Sequence, residues 1–351
     1  MMGCGGFFLV MARVGFVVTV CLAFLIPATL GAQGRGGDAA KAPTDVQPGS
    51  ITYDDVPYPY PVHYMPITMY GQDVRMAYMD VPPEATPNGH TVMLFHGMNF
   101  GGFYFEGPIN VLRKEGFRVV VPDQIGFGRS SKPVIPYNFH DMALNSRKLL
   151  TSLGITKVMI VGHSMGGMLA TRFAASFPDI TEKAVIYNQI GLKDPRYERP
   201  WGSADDAYKR TMASSQDQLW GGFNANIHRY FPPGTWKPEY DKYVRILYAP
   251  TLSGDWPRLA MVRSIYQQML YLDPVDADWP KIKVKTLILG GDKDTPDYAE
   301  RSKHIAATIP GAEIVMLPGL GHVPHLQDPD MFYPPLLKFL KGEASPKTGA
   351  N

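Results

Sequence analysis

The stretch Gly162-His163-Ser164-Met165-Gly166 places a serine between two glycines at G-x-S-x-G spacing. Four apolar residues, Val158-Met159-Ile160-Val161, precede it, and Gly167-Met168-Leu169-Ala170 follow it as a small-residue helix start. A strand, a tight turn and a helix in that order are the setting of a nucleophile elbow, which pushes the serine hydroxyl clear of the sheet. The flanking glycines suit a turn where a Cβ would collide with the crossing chain. The helix behind the serine also aims its N-terminal N–H groups at the place where negative charge develops during acyl transfer. Ser164 is therefore assigned as a nucleophile.

A serine hydroxyl is a weak nucleophile at neutral pH and needs a base, which in turn needs an orienting carboxylate. Gly291-Asp292-Lys293-Asp294 follows directly on a strand ending at Leu289, and Gly321-His322-Val323-Pro324 follows the last strand. Loops at the carboxyl ends of parallel strands are where an active site of such a sheet lies. From spacing alone either Asp292 or Asp294 serves as the acid, and the chain order is serine, aspartate, histidine.

The elements needed to bring these loops together are legible. A hairpin is expected over Ile67–Tyr70 and Val74–Met79, after an extended Tyr- and Pro-rich segment from Tyr53 to Pro66. Strands are expected at Thr91–Phe95, Arg118–Val121, Lys157–Val161, Lys183–Tyr187, Val284–Leu289 and Glu313–Leu317. Helices are expected at Glu106–Glu115, Phe139–Leu153, after the elbow, at Tyr298–Thr308 and at Pro329–Leu340. Such alternation predicts an α/β fold: a mostly parallel, eight-stranded sheet with helices on both faces. It stops between Gln189 and Pro280, so residues 189–280 read as a mainly helical cap inserted into a core made of residues 51–188 and 281–341.

On these motifs the chain resembles the α/β-hydrolase superfamily, in its cap-bearing branch with a serine nucleophile, over nearly all of Ile67 to Leu340. The matching pieces are His96-Gly97, Asp123-Gln124-Ile125-Gly126-Phe127-Gly128-Arg129-Ser130, the elbow at Ser164, Gly291 to Asp294, and Gly321 to Pro324. The resemblance implies Asp294 as the acid and His322 as the base. One departure is Gln327, where many members carry a glutamate; no catalytic effect is expected from it. By the elbow geometry the oxyanion donors are the backbone N–H groups of Met165 and, on the loop after the third strand, Met98. Asn99, Phe100 and Tyr104 on that loop are candidate pocket residues, with core packing the equal alternative for each. His96 is expected to shape the loop, His163 to pack beside the elbow, His325 to support the site, and Asp123 to fix its glycine-rich turn.

Substrate class rests on the cap. All five tryptophans, Trp201, Trp220, Trp236, Trp256 and Trp279, fall in it, and its eleven acidic and eleven basic residues cancel. Either these bulky residues build the insertion's own core, or they line an aromatic, uncharged cleft, with Trp256 as a further pocket candidate, which predicts small apolar or aromatic esters as substrates. The expected activity is that of a carboxylesterase working through an acyl-enzyme, with no cofactor and no metal. The same three side chains serve C–C hydrolysis of dienone acids, lactone opening, peptide removal and perhydrolysis, and a catalytically silent ligand-binding member of the fold is the non-enzymatic alternative. Epoxide hydrolysis and dehalogenation need an aspartate at the elbow and are disfavoured.

The formal net charge of +2 over 351 residues gives no sign of a nucleic-acid partner. Residues 1–32 run from Arg13 through an apolar segment to Pro27 and Ala28-Thr29-Leu30-Gly31-Ala32, the order of a secretory signal peptide. The apolar run falls short of the roughly 20 residues of a membrane-spanning helix, so cleavage near Ala32 is expected, with membrane attachment only if the leader is retained. Both cysteines, Cys4 and Cys21, lie in this leader, which suits a secreted or periplasmic protein. Residues 33–50 read as a flexible linker and 342–351 as a disordered tail. Oligomeric state is left open.

Overall fold

The structure is a computed structural model and describes residues 41–343. The leader and most of the linker and tail lie outside the described residues. Among the described residues no helix is long and apolar enough to cross a membrane.

Eight strands form one sheet: β1 (His63–Met69), β2 (Gln72–Val81), β3 (Thr91–Phe95), β4 (Arg118–Pro122), β5 (Val158–His163), β6 (Thr181–Tyr187), β7 (Lys285–Gly291) and β8 (Glu313–Leu317). Their spatial order is β1-β2-β4-β3-β5-β6-β7-β8. The β1–β2 and β2–β4 pairs are antiparallel and the rest are parallel. The expected eight-stranded, mostly parallel sheet is thus present. The hairpin is longer than its apolar pattern suggests, because His63 to Pro66 continue the pairing and Pro66 sits opposite Arg75. A proline is tolerated there because β1 lies at the sheet edge, where an N–H is not required.

The central strands are buried on both faces and read as continuous apolar runs. Their side chains alternate between two cores. Met93, Phe95, Val120, Ile160 and Ile186 enter one, closed by α2 (Phe139–Ser152), α3 (Met165–Ser176) and Ile305 of α8 (Tyr298–Thr308). Val92, Leu94, Val119, Val161 and Leu287 enter the other, closed by α1 (Glu106–Lys114) and by α10 (Pro329–Lys341), with the short α9 (Pro324–Gln327) before it.

Between β6 and β7 the chain leaves the sheet to form α4 (Ala204–Ala213), α5 (Gln216–His228), α6 (Asp241–Tyr248) and α7 (Trp256–Leu272). Helix α4 packs on α7, and α5 on α6. The linker expectation is corrected over its described part. Ala42 N–H donates to Asp217 (2.8 Å), Asp45 pairs with Arg245 (2.9 Å), and Gly49 N–H donates to the Ala249 carbonyl (2.9 Å). Behind these bonds Ile51, Tyr53 and Val56 bury against Trp256 and Leu259. Glycine and proline content suggested a tether, but the three apolar side chains that follow anchor the segment. At the other end, Gly342 adopts φ 78° and closes α10 through the Lys338 and Phe339 carbonyls, so the helix cap takes in the first residues assigned to the tail.

Candidate active site

Strand register brings every candidate to one edge of the sheet. Phe95 pairs with Gly162, His163 with Tyr187, Tyr187 with Leu289, and Gly291 with Leu317. The loops that begin one to five residues later therefore emerge side by side. They carry Met98, Ser164, Asn188, Asp294 and His322.

Ser164 has φ 58° and ψ −120°, a conformation that an L-residue adopts only when its surroundings enforce it. The enforcing contacts are visible. Ser164 N–H donates to the Tyr187 carbonyl (3.1 Å), and its own carbonyl accepts from Gly167 (2.9 Å). A Cβ at Gly162 would overlap the Gly166 carbonyl, and one at Gly166 would overlap that of Phe95, so both flanking positions are restricted to glycine.

The Ser164 hydroxyl lies 2.9 Å from His322 Nε2, and His322 Nδ1 lies 2.9 and 3.0 Å from the two Asp294 carboxylate oxygens. An ionised carboxylate only accepts, so Nδ1 carries the ring proton and Nε2 presents its lone pair to the hydroxyl. Ser164 and His322 are each only 4% exposed. Asp292, the other aspartate of the loop, faces away and accepts from the Gly319 N–H at 2.7 Å.

Asn188 was not anticipated. Its amide donates to Asp294 Oδ2 (2.8 Å) and to the Gly321 carbonyl (3.2 Å), and its oxygen accepts from the Gly291 N–H (3.2 Å). It is fully buried with φ 43°. The available signal was an asparagine placed directly after β6, since asparagine is among the few residues that enter the left-handed region readily.

A second buried network lies beneath the serine. His163 Nε2–H donates to the His322 carbonyl (2.7 Å), which leaves Nδ1 to accept the Tyr104 hydroxyl proton (2.8 Å), and the Tyr104 oxygen accepts the Gly97 N–H (3.1 Å). Burial, reinforced by His322 and His325, holds the His163 ring far below its ordinary pKa, so it stays neutral. This chain of bonds ties the loop bearing Met98 to the backbone of the histidine. His96 joins the same loop to Gln124: its Nε2 accepts the Gln124 N–H (3.1 Å), and Nδ1–H donates to the Gly97 carbonyl (2.8 Å). Asp123 accepts from Gly102, Arg129 and Tyr58 at 2.6 to 2.7 Å and fixes the glycine-rich turn. His325 is buried among Tyr104, Phe105, Tyr187 and Phe332. Gln327 accepts the Gly321 N–H (2.8 Å) beside His322.

Met165 is the first residue of α3, where an N–H has no acceptor within its helix. The Met98 loop approaches the serine because Gly97 lacks a side chain: a Cβ there would sit 3.1 Å from Ser164 Cβ.

The pocket candidates divide. A cavity of about 490 Å³ is lined by Met98, Asn99 and Trp256 together with residues of α4, α5 and α7. Phe100 and Tyr104 do not line it. They stack on each other (4.3 Å between ring centres) in the core beneath, Tyr104 on the short helix Gly102–Phe105 and Phe100 just before it. The aromatic, uncharged cleft is corrected too. Of the five tryptophans only Trp256 lines this cavity. Trp279 packs in the main core, Trp220 and Trp236 flank the other, and Trp201 is exposed. The lining also includes Arg199, Arg229 and Arg263. The insertion's charges cancel in sum but are separated in space. The insertion also reaches His322: the Tyr230 ring lies tilted against it (4.5 Å between ring centres), the Tyr230 carbonyl accepts the His322 backbone N–H (2.8 Å), and the Tyr230 hydroxyl receives the Asn99 amide (2.7 Å).

Comparison with known proteins agrees with this architecture. The profile of the alpha/beta hydrolase family matches residues 92–334. The crystal structure of a probable hydrolytic enzyme from Pseudomonas aeruginosa PAO1 is similar at 34% identity and a TM-score of 0.79, covering 86% of this chain and 99% of that one. Lipase 3 of a Moraxella species is 25% identical over 244 residues, 68% of this chain and 73% of the lipase. An esterase from Exiguobacterium antarcticum shares the fold with a TM-score of 0.61 at 22% identity, covering 76% of this chain and 96% of that one. The chain belongs to the alpha/beta hydrolase family.

Proposed function

We propose that this protein is a serine hydrolase that cleaves carboxylic esters through an acyl-enzyme. The observation that carries the reading is the unbroken hydrogen-bonded line from the Ser164 hydroxyl through both nitrogens of His322 to Asp294. In the proposed reaction Ser164 Oγ attacks the ester carbonyl while His322 Nε2 takes the hydroxyl proton. Asp294 holds the ring in the required tautomer and stabilises the imidazolium that forms. The N–H groups of Met98 and Met165 receive the oxyanion, a contribution of about 10²–10³-fold in rate for each donor. Collapse of the tetrahedral intermediate passes the proton from His322 to the departing alkoxide. Water, deprotonated by the same nitrogen, then releases the acid and restores the serine.

The names of the Moraxella lipase and the Exiguobacterium esterase are consistent with ester chemistry. The leader-like composition of residues 1–32 supports action outside the cytoplasm, which N-terminal sequencing of protein recovered from the envelope or medium tests.

The reading is tested by treating the protein with a fluorophosphonate and locating the adduct by peptide mass spectrometry. A single adduct on Ser164, lost in His322→Ala, is expected. Absence of an adduct on folded protein supports the silent ligand-binding alternative instead.

A further inference from the structure

Arg199, Arg229 and Arg263 line the cavity that opens beside Met98, and no aspartate or glutamate is among its lining residues. None of the three arginines forms an ion pair among the described residues. Arg263 donates to the Asn99 side-chain oxygen (3.2 Å) and lies over the Phe223 ring (5.1 Å). Arg229 donates to the Asn226 side chain (2.6 Å), and Arg199 lies 5.9 Å from the Tyr271 ring. These are neutral partners. Arg301, near the adjoining cavity on the Asp294 side, is by contrast held by Glu198 (3.1 Å) and Asp297 (2.5 Å).

Resting on the hydrolase reading above, we propose that this cavity selects substrates that carry a carboxylate in addition to the ester being cleaved. Three guanidinium groups around one cavity repel each other, and that repulsion is relieved when an anion enters. The planar fork of a guanidinium matches a carboxylate with two parallel hydrogen bonds. Arg263 is the pivotal group. It is half-buried, and through Asn99 it is one residue from the Met98 N–H, so an anion on Arg263 fixes how far the ester carbonyl lies from Ser164. Arg199 and Arg229 are exposed and add attraction at the mouth. Asn99 keeps Arg263 in place by accepting from it while donating to Tyr230, whose ring lies tilted against that of His322. Occupation of the anion site is thereby linked to the base.

The test compares mono-p-nitrophenyl adipate with its neutral methyl ester, methyl p-nitrophenyl adipate. In the wild-type protein kcat/KM for the anionic ester should exceed that for the neutral one at least tenfold, mainly through KM, with the ratio falling as salt is raised. Arg263→Gln should bring the ratio close to one, Arg263→Lys should restore part of it, and Arg229→Gln should lower it by a smaller factor. A wild-type ratio of one or below, or a ratio untouched in both glutamine variants, overturns the proposal. Should neither ester be hydrolysed, the ester-hydrolase reading fails separately, and calorimetric titration of Ser164→Ala protein with monomethyl and dimethyl adipate still decides the anion site. Tighter binding of the monoester that weakens tenfold or more with Arg263→Gln supports it; equal binding of the two overturns it.

Discussion

Asn188 donates to Asp294 Oδ2 at 2.8 Å while its own oxygen receives the Gly291 N–H, so one buried amide spans the ends of two neighbouring strands. Asp294 is thereby aimed before any substrate arrives. Asn188→Ala should lower kcat about tenfold, the value of roughly one hydrogen bond to a charged group. It should also destabilise the fold, because alanine is strained at φ 43°. Asn188→Gly separates the two effects: its stability should recover relative to alanine while kcat stays low. Recovery of both would mean that Asn188 only accommodates the turn.

The two aspartates of the β7 loop should behave differently. Asp294→Asn should reduce kcat by on the order of 10³–10⁴, since an amide facing Nδ1 favours the wrong histidine tautomer. Asp292→Asn should leave kcat within a few-fold and cost about 1 kcal/mol in urea unfolding, because it weakens the bond to Gly319. The reverse pattern would assign the acid to Asp292.

Much of this arrangement can be read in the amino-acid order. The chemistry-bearing residues stand at fixed offsets from apolar runs, and β3, β8 and α8 begin and end where those runs do. Ser164, Asp294, His322, Met98 and Met165 are brought together because parallel strands deliver their following loops to one edge. Residues whose placement depends on tertiary packing were less legible. Phe100 and Tyr104 follow the expected strand, yet both side chains pack into the core instead of lining the cavity. Asn188 has no motif around it and is identified only by the partners it finds. The distribution of charge within the insertion depends on how four helices cross, which net charge does not report.

Tyr104 links the Gly97 N–H to His163. Tyr104→Phe leaves that N–H and His163 Nδ1 buried without partners, at a cost of about 1–3 kcal/mol. The loop carrying Met98 is loosened at the same time, so kcat should also fall. Chemical denaturation and ester kinetics on the same preparation check both, and an unchanged variant would show that the network does not hold the loop.

Acid sensitivity should follow from buried histidines. Burial, with His322 nearby, pushes His325 down to about 3 from its ordinary 6.5. The folded state then binds fewer protons than the unfolded chain between those values. This contribution is fully present above pH 6.5 and is lost as pH falls toward 3. His163, shifted in the same direction, adds to it. His325→Phe, placed among four aromatic rings, should show a smaller drop in Tm between pH 7 and pH 4.5 than the wild type. An identical drop would exclude His325 as a source.

The attack by Ser164 is tested most directly by steady-state hydrolysis of a p-nitrophenyl ester by Ser164→Ala, with circular dichroism and Tm measured on the same sample. The expected result is loss of kcat by at least about 10³-fold with the folded state intact. Turnover close to wild type in a folded Ser164→Ala protein would contradict the proposal that this hydroxyl is the nucleophile.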